Sequence, residues 1–340
     1  MISRRIRMYY IAVLLCVLPA FGLSQSKVGT SAVSFLGIAV GPRAVGLGGA
    51  FVAVANDASA LYWNPGGITR SGKSEFIFSH TNWLVDSKFD WAGVVINISE
   101  ADAVGVSFTQ LTYGEEDVTT TEAPMGTGET WSASDVAIGL TYARNLTDRF
   151  SIGGTAKFIQ ERISNETASS IAMDVGLLYQ TDLNNLRIGM SISNFGADMR
   201  LDGKDLYHKI DMDPANSGSN KTIVARLKTD DWPLPLFFRA GISIDAFKYE
   251  DLRLTVSADA LRPSDNSETV NTGLELSWNE ILFLRGGRKA LFMSDAQEGF
   301  TAGAGARVDL SAGTTLGFDY GYEDFGIFGG IQTFALSVTF

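Results

Sequence analysis

Cysteine is nearly absent. The 340 residues hold one, Cys16, and it lies close to the start of the chain. A single thiol excludes a disulfide framework and leaves little room for thiol chemistry. Histidine is scarce as well, with only His80 and His208. Ser79 precedes His80, but neighbours on a strand point to opposite faces, so the pair does not make a hydrolase centre. The residues therefore read as a non-enzyme, with no cofactor and no metal. Positive charge is in deficit, at 27 basic against 38 acidic side chains and a net charge of −11. Such a surface is a poor partner for nucleic acid. Beyond the start there is no run of 18 consecutive apolar residues, so no transmembrane helix is expected. Charged residues make up only 19% of a chain that is 45% hydrophobic, which argues against disorder.

Residues 1–26 read as a secretory signal peptide. Arg4, Arg5 and Arg7 form a basic start, Tyr9 to Leu18 an apolar run too short to span a bilayer, and Pro19 breaks it. Gly22 with Ser24, or Ser24 with Ser26, suit the cleavage positions. Leu15 is not the small residue that a lipoprotein signal places before its cysteine. Removing the segment leaves no cysteine, and 24 basic residues against the 38 acidic ones, a net −14.

The rest of the chain alternates with a period of two. In TFALSVTF, Phe334, Leu336, Val338 and Phe340 share one face, and Thr333, Ala335, Ser337 and Thr339 the other. Fourteen strands are expected, at 74–84, 88–99, 103–113, 133–144, 149–163, 170–180, 186–195, 234–246, 252–262, 268–278, 281–289, 299–310, 314–322 and 328–340. Most exceed the usual globular strand of about 5–6 residues and match the roughly 9–11 that cross a membrane. Alternate connections are all short, and the long ones, 114–132, 196–233 and 290–298, fall on the other parity. That sorting marks an outer-membrane barrel, and an even strand count puts both mature termini on the short-turn, periplasmic side. Closure also pairs every backbone group in lipid.

The bulky apolar set then faces lipid and the small, polar and charged set faces inward. Lys157, Asp174, Arg187, Arg239, Asp245, Arg253, Asp259, Glu275, Arg307, Asp309 and Asp319 take inward phases. With both signs present, they either pair with one another across the lumen or line a polar path. The arginines of ILFLRGGRK fall on both phases. Phe340, a terminal aromatic on an alternating last strand, resembles the signal read by the outer-membrane assembly machinery. The tryptophans mostly lie near strand ends, as interfacial girdles require.

Residues 27–70, KVGTSAVSFLGIAVGPRAVGLGGAFVAVANDASALYWNPGGITR, do not alternate. This stretch resembles the N-terminal segment of FadL-like outer-membrane proteins, most closely the PorV/PorQ branch. MGTGETWSASDVAIGLTYARNLTDRFSIGGTAKFI at 125–159 is similar to the third loop, fourth strand and fifth strand of that branch. The resemblance implies a 14-stranded barrel (74–340) with a hatch (27–73) folded into its lumen. It implies hatch residues Arg43, Gly48, Gly49, Asn56, Asp57, Trp63, Asn64 and Pro65. On the residues alone, Asn56 or Asp57 caps a short helix over Ala58–Trp63, and Asn64-Pro65-Gly66-Gly67 ends it.

Three functions follow as expectations. A PorV/PorQ-type protein acts with type IX secretion, binding secreted proteins or the translocon, and would show an open or loosely filled lumen and an exposed apolar loop surface in 114–132 or 196–233. A FadL-type protein takes up hydrophobic small molecules such as long-chain fatty acids, through an apolar pocket with a side opening to lipid. A structural barrel scaffolds only. Two other signals are weak. GLGGAF fails the dinucleotide spacing because Phe51 takes its third glycine. DMDPANSGSN at 211–220 lacks the glycine and distal glutamate of a calcium loop, and reads as a solvated loop.

Overall fold

The computed structural model describes residues 29–211, 213, 215–216, 223–293, 296–311 and 313–340. The signal peptide, with Cys16, and much of 211–220 lie outside them. Period-two alternation produces a closed antiparallel barrel of fourteen strands. They are β1 (Glu75–Asn82), β2 (Lys88–Asn97), β3 (Asp102–Thr112), β4 (Ala133–Thr147), β5 (Phe150–Ile163), β6 (Glu166–Gln180) and β7 (Arg187–Gly196). The second half is β8 (Phe237–Tyr249), β9 (Leu252–Pro263), β10 (Thr269–Trp278), β11 (Leu282–Leu291), β12 (Phe300–Ser311), β13 (Thr314–Asp324) and β14 (Gly330–Thr339). Each pairs with the next in chain order, and β14 closes on β1 from Glu75↔Thr339 to Asn82↔Gln332.

The expected boundaries hold to within a few residues, with one informative exception. β6 begins at Glu166, not at 170, and pairs with β5 as far as Ile163↔Glu166. Glu-Thr-Ala-Ser carries no bulky apolar face, so nothing in it signals a membrane crossing. Its backbone nevertheless continues the ladder, and β4 to β6 rise as a wall on the long-connection side. Short hairpins over that end pair Glu116–Asp117 with Thr130–Trp131, and Tyr207–Ile210 with Ile223–Arg226.

The faces follow the alternation. Val106, Phe108, Ile138, Leu140, Leu336 and Phe318 are exposed on the outside, as a lipid-facing wall requires. Ser107, Thr109, Thr141, Thr155, Thr333 and Ser337 are buried inside. β2 departs from this rule, since its inward residues Phe89, Trp91 and Val95 are apolar and buried. Trp91 is thus an interior residue and not part of a girdle. Trp63 is buried as well, whereas Trp278 is exposed on the last residue of β10.

Residues 29–73 carry 3₁₀ turns at Ser34–Gly37 and Pro65–Gly67, and helices α1 (Pro42–Gly46) and α2 (Ala60–Trp63). The segment is almost wholly buried. It starts at the long-connection end, where the Ala32 amide donates to the Pro233 carbonyl at 3.0 Å. It finishes at the short-turn end, where Arg70 donates to the Asp148 carbonyl at 2.8 Å. The barrel ends, Glu75 and Thr339, share the short-turn side because the strand number is even. Residues 29–32 do not, because the segment runs from one end of the barrel to the other before β1 begins.

Candidate functional site

The wall opposes residues 29–73 with two kinds of surface. Along β7 to β13 it is charged. Arg187 lies 3.7 Å from Asp245, and Arg253 lies 3.9 Å from both Asp245 and Glu275. Arg285 bridges Glu275 at 2.8 Å and Asp319 at 2.6 Å, and Asp319 accepts Arg307 at 2.7 Å. Arg43 on α1 enters this chain from the segment. It donates twice to Glu275, at 3.0 and 3.1 Å, and turns its other nitrogen to Asn56 and Asp57, both at 2.8 Å. Burial alone lowers the affinity of Arg43 for its proton, but Glu275 and Asp57 more than offset this and raise it, so the guanidinium stays charged.

Of the eleven charges with inward phases, ten are buried or half-buried, whereas Asp309, beside the register shift near the end of β12, is exposed and accepts from the Thr315 hydroxyl at 2.6 Å. Lys157 pairs with Asp174 at 2.8 Å. Arg239 makes no ion pair among the described residues; its guanidinium lies over Tyr62, Trp63 and Phe237, at 5.4, 5.3 and 4.9 Å from the ring centres. Asp259 takes two backbone amides in place of a cation, from Phe51 and Val52, each at 2.7 Å. Sequence reasoning missed Glu75, Lys289 and Glu323, which are also buried inside. It also left Arg285 unresolved between two phases. Odd positions of β11 face in, so Arg285 and Lys289 are interior and Arg288 is exposed.

The hatch residues named above lie close together. Asn64 is fully buried and donates to the Val52 carbonyl at 2.8 Å and to the Leu177 carbonyl of β6 at 2.9 Å. Its own oxygen accepts the Gly66 amide at 3.2 Å, so it caps the Pro65–Gly67 turn while joining it to the wall. Trp63 donates to the Val40 carbonyl at 2.9 Å. The helix after Asp57 is shorter than expected, because it starts at Ala60. Asp57 accepts the Ser59 amide at 3.0 Å just ahead of it, while Asn56 is engaged by Arg43. Gly48 has φ +65°, and a Cβ there would come within 2.8 Å of the Arg288 nitrogen, so backbone meets backbone. Gly49 is at φ +75° beside Asn271. Wall glycines do likewise: a Cβ on Gly189 would sit 2.3 Å from the Val52 oxygen.

Along β2 the wall is apolar, and Leu111 of β3 and Ala137 of β4 extend that patch. Phe35, Leu36 and Leu61 of the segment join Phe89, Trp91, Val95, Leu111 and Ala137 in one core. The space left between Leu36, Leu61, Tyr62 and Trp91 is about 10 Å³, no more than one water needs.

The long-connection end is open. A cavity of about 860 Å³ lies there, floored by Gly29, Ser31 and Ala32. The 83–87 turn, both long loops and the raised β4–β6 wall surround it, with Trp83, Tyr113, Trp131, Met199, Leu201 and Trp232 supplying an apolar lining. Trp131 and Trp232 supply exposed apolar surface from 114–132 and 196–233, whereas Met199 is buried; the open or loosely filled lumen also expected of an export barrel is not seen beside Trp91, where the space is tight. Met199 and Trp232 exchange backbone hydrogen bonds at 2.7 and 2.8 Å, which fixes the second loop over the mouth. Two carboxylates lie at its side. Asp135 is 4% exposed and faces Glu161 across the β4–β5 register. Tyr113 donates to Asp135 at 3.3 Å. Burial and the two neighbouring acids raise the phenol's affinity for its proton, which keeps it a donor.

The even-stranded closed barrel, its lipid-type outer face and its sorted connections define an outer-membrane-type β-barrel. Solved structures agree. The "CymD monoaromatic hydrocarbon channel" has a TM-score of 0.58 at 13% identity, covering 88% of this chain and 96% of its own. The toluene transporter TbuX of Ralstonia pickettii has a TM-score of 0.54 at 11% identity, covering 88% and 97%. A FadL homologue of Pseudomonas aeruginosa has a TM-score of 0.51 at 14% identity, covering 88% and 98%. No curated protein matches the sequence. The family model described as "Type IX secretion system protein PorV" matches residues 22–216, over half the chain, and the protein belongs to that family. Family and fold are those of a secretion or transport barrel, not of an enzyme.

Proposed function

We propose that the mature protein is an outer-membrane barrel of type IX secretion in which residues 27–73 are a hatch filling the lumen. On this reading its long-connection mouth receives secreted polypeptides or the translocon. The observation that carries it is the placement of free space. The interior left between Trp91 and the segment is too small for a hydrocarbon, while the mouth holds a cavity large enough for several side chains. The carboxylates at that mouth also disfavour a fatty acid, whose own carboxylate they would repel. The long connections then face outward, Phe340 lies on the periplasmic side as the signal to the assembly machinery, and lipid surrounds the wall. Affinity purification from native membranes tests this. Recovery of a secretion translocon with exported proteins supports it; recovery of the barrel alone with bound fatty acid contradicts it.

A second reading, uptake of hydrophobic small molecules, has one observation in its favour. The β6–β7 register breaks between Met173 and Val175, and an outward apolar groove of about 670 Å³ with Phe158, Ile171, Met173 and Phe195 lies beside the break. Lys157 lines both this groove and the small interior space. Toluene uptake into cells or liposomes carrying the protein, abolished by bulky residues at Gly196, would support it.

A further inference from the structure

The mouth cavity combines two features that fit no neutral or anionic ligand. Its lining is apolar and aromatic, with Trp83, Trp131 and Trp232 among its residues, yet Asp135 and Glu161 open into it from facing positions. Neither carboxylate makes an ion pair with a cation among the described residues. Asp135 has the Tyr113 hydroxyl, and Glu161 the Val33 backbone amide. The other charged lining groups do not supply the missing charge. Glu116 is a third acid. Arg162 takes the outward phase of β5 and donates to the Ser164 carbonyl at 3.2 Å. A buried carboxylate left without a counter-charge is costly, and one opposite another is more so.

We infer that this mouth is a receptor for a cation on an apolar stem: the lysine or arginine side chain of an extended apolar stretch in another polypeptide. The methylene stem lies against the tryptophans and the charge reaches Asp135 and Glu161. A bare metal ion satisfies the charge but not the lining, and no group of three or more acidic, histidine or cysteine side chains able to hold a metal occurs among the described residues. A hydrocarbon satisfies the lining but not the charge. An ammonium or guanidinium head does both, with the aromatic faces adding cation–π attraction. The inference rests on the export reading, since it names what the exported chain presents.

The test is a tryptophan-fluorescence titration of the full-length mature protein in detergent micelles. The probe is the capped peptide acetyl-Val-Leu-Lys-Leu-Val-amide, compared with the same peptide carrying norleucine in place of lysine. The lysine peptide is expected to bind at least about tenfold more tightly. In Asp135→Asn/Glu161→Gln that preference disappears, while norleucine binding is unchanged. Equal binding of the two peptides to the unaltered protein overturns the inference without reference to any variant. So does a preference that survives the double substitution in protein whose heat-modifiable gel mobility shows an intact barrel. Native purification separates the two proposals. If the unaltered barrel recovers exported proteins and the double variant recovers them undiminished, the inference falls and the export reading stands. If the unaltered barrel recovers none, the export reading falls whatever the peptides do.

Discussion

Glu275 sits between Arg43 of the segment and Arg285 of the wall, at 1% exposure, and holds both. Burying three charges together is tolerable only while each is answered. Glu275→Gln removes one charge and leaves two guanidiniums sharing a neutral amide. It is expected to destabilise the folded barrel by about 3 kcal/mol, read as a lowered urea midpoint in micelles. Asn64 works by donation. Asn64→Leu removes both donations from a buried side chain, at about 1 kcal/mol each. Its midpoint should fall, and Asn64→Asp should not restore it, because a carboxylate donates nothing. Asn64 and Pro65 were legible in the sequence as a turn. Their role as a tether was not, because the partner carbonyl at Leu177 lies over a hundred positions away and sequence spacing does not reveal it. Arg285 was ambiguous for a related reason. Both phases of ILFLRGGRK carry an arginine, and only the neighbouring Glu275 and Asp319 decide which one is interior.

Among the elements, the strands were legible because lipid imposes a side-chain period on them, and they match the expected spans closely. The lapses come where lipid is not the neighbour. β6 extends beyond its apolar stretch into the loop-side wall, and β2 turns Phe89, Trp91 and Val95 inward because that face packs against Leu36 and Leu61 of the segment. The segment itself was legible only as a failure to alternate, together with its family resemblance. Its contact with the wall runs through glycines that carry no periodic signal. Gly189→Val drives a side chain into the Val52 carbonyl. It is expected to loosen residues 29–73 without dissolving the barrel, seen as new protease cuts in the segment while gel mobility stays that of a folded barrel. Deleting 27–68 is the stronger version. An assembled barrel with raised permeability to a small hydrophilic antibiotic is the expected outcome; loss of membrane assembly would show the segment to be part of the folding core and not a hatch.

For the whole molecule, the architecture divides labour between its ends. The short-turn end carries the C-terminal aromatic and closes tightly. Residues 29–73 are held on one side by ion pairs and on the other by apolar packing. The open space lies at the mouth, walled by β4–β6 and roofed by two long loops. On the proposed reading, this mouth meets a partner and the barrel does not pass a solute. The most direct measurement is site-specific photo-crosslinking in living cells from a benzophenone side chain placed at Trp232, on the rim of the cavity. Adducts that contain exported polypeptides, and that vanish when the same side chain is moved to the outward position Leu336, are the predicted result. Absence of any polypeptide adduct from Trp232, with a hydrophobic small molecule carried by the purified barrel, would contradict it.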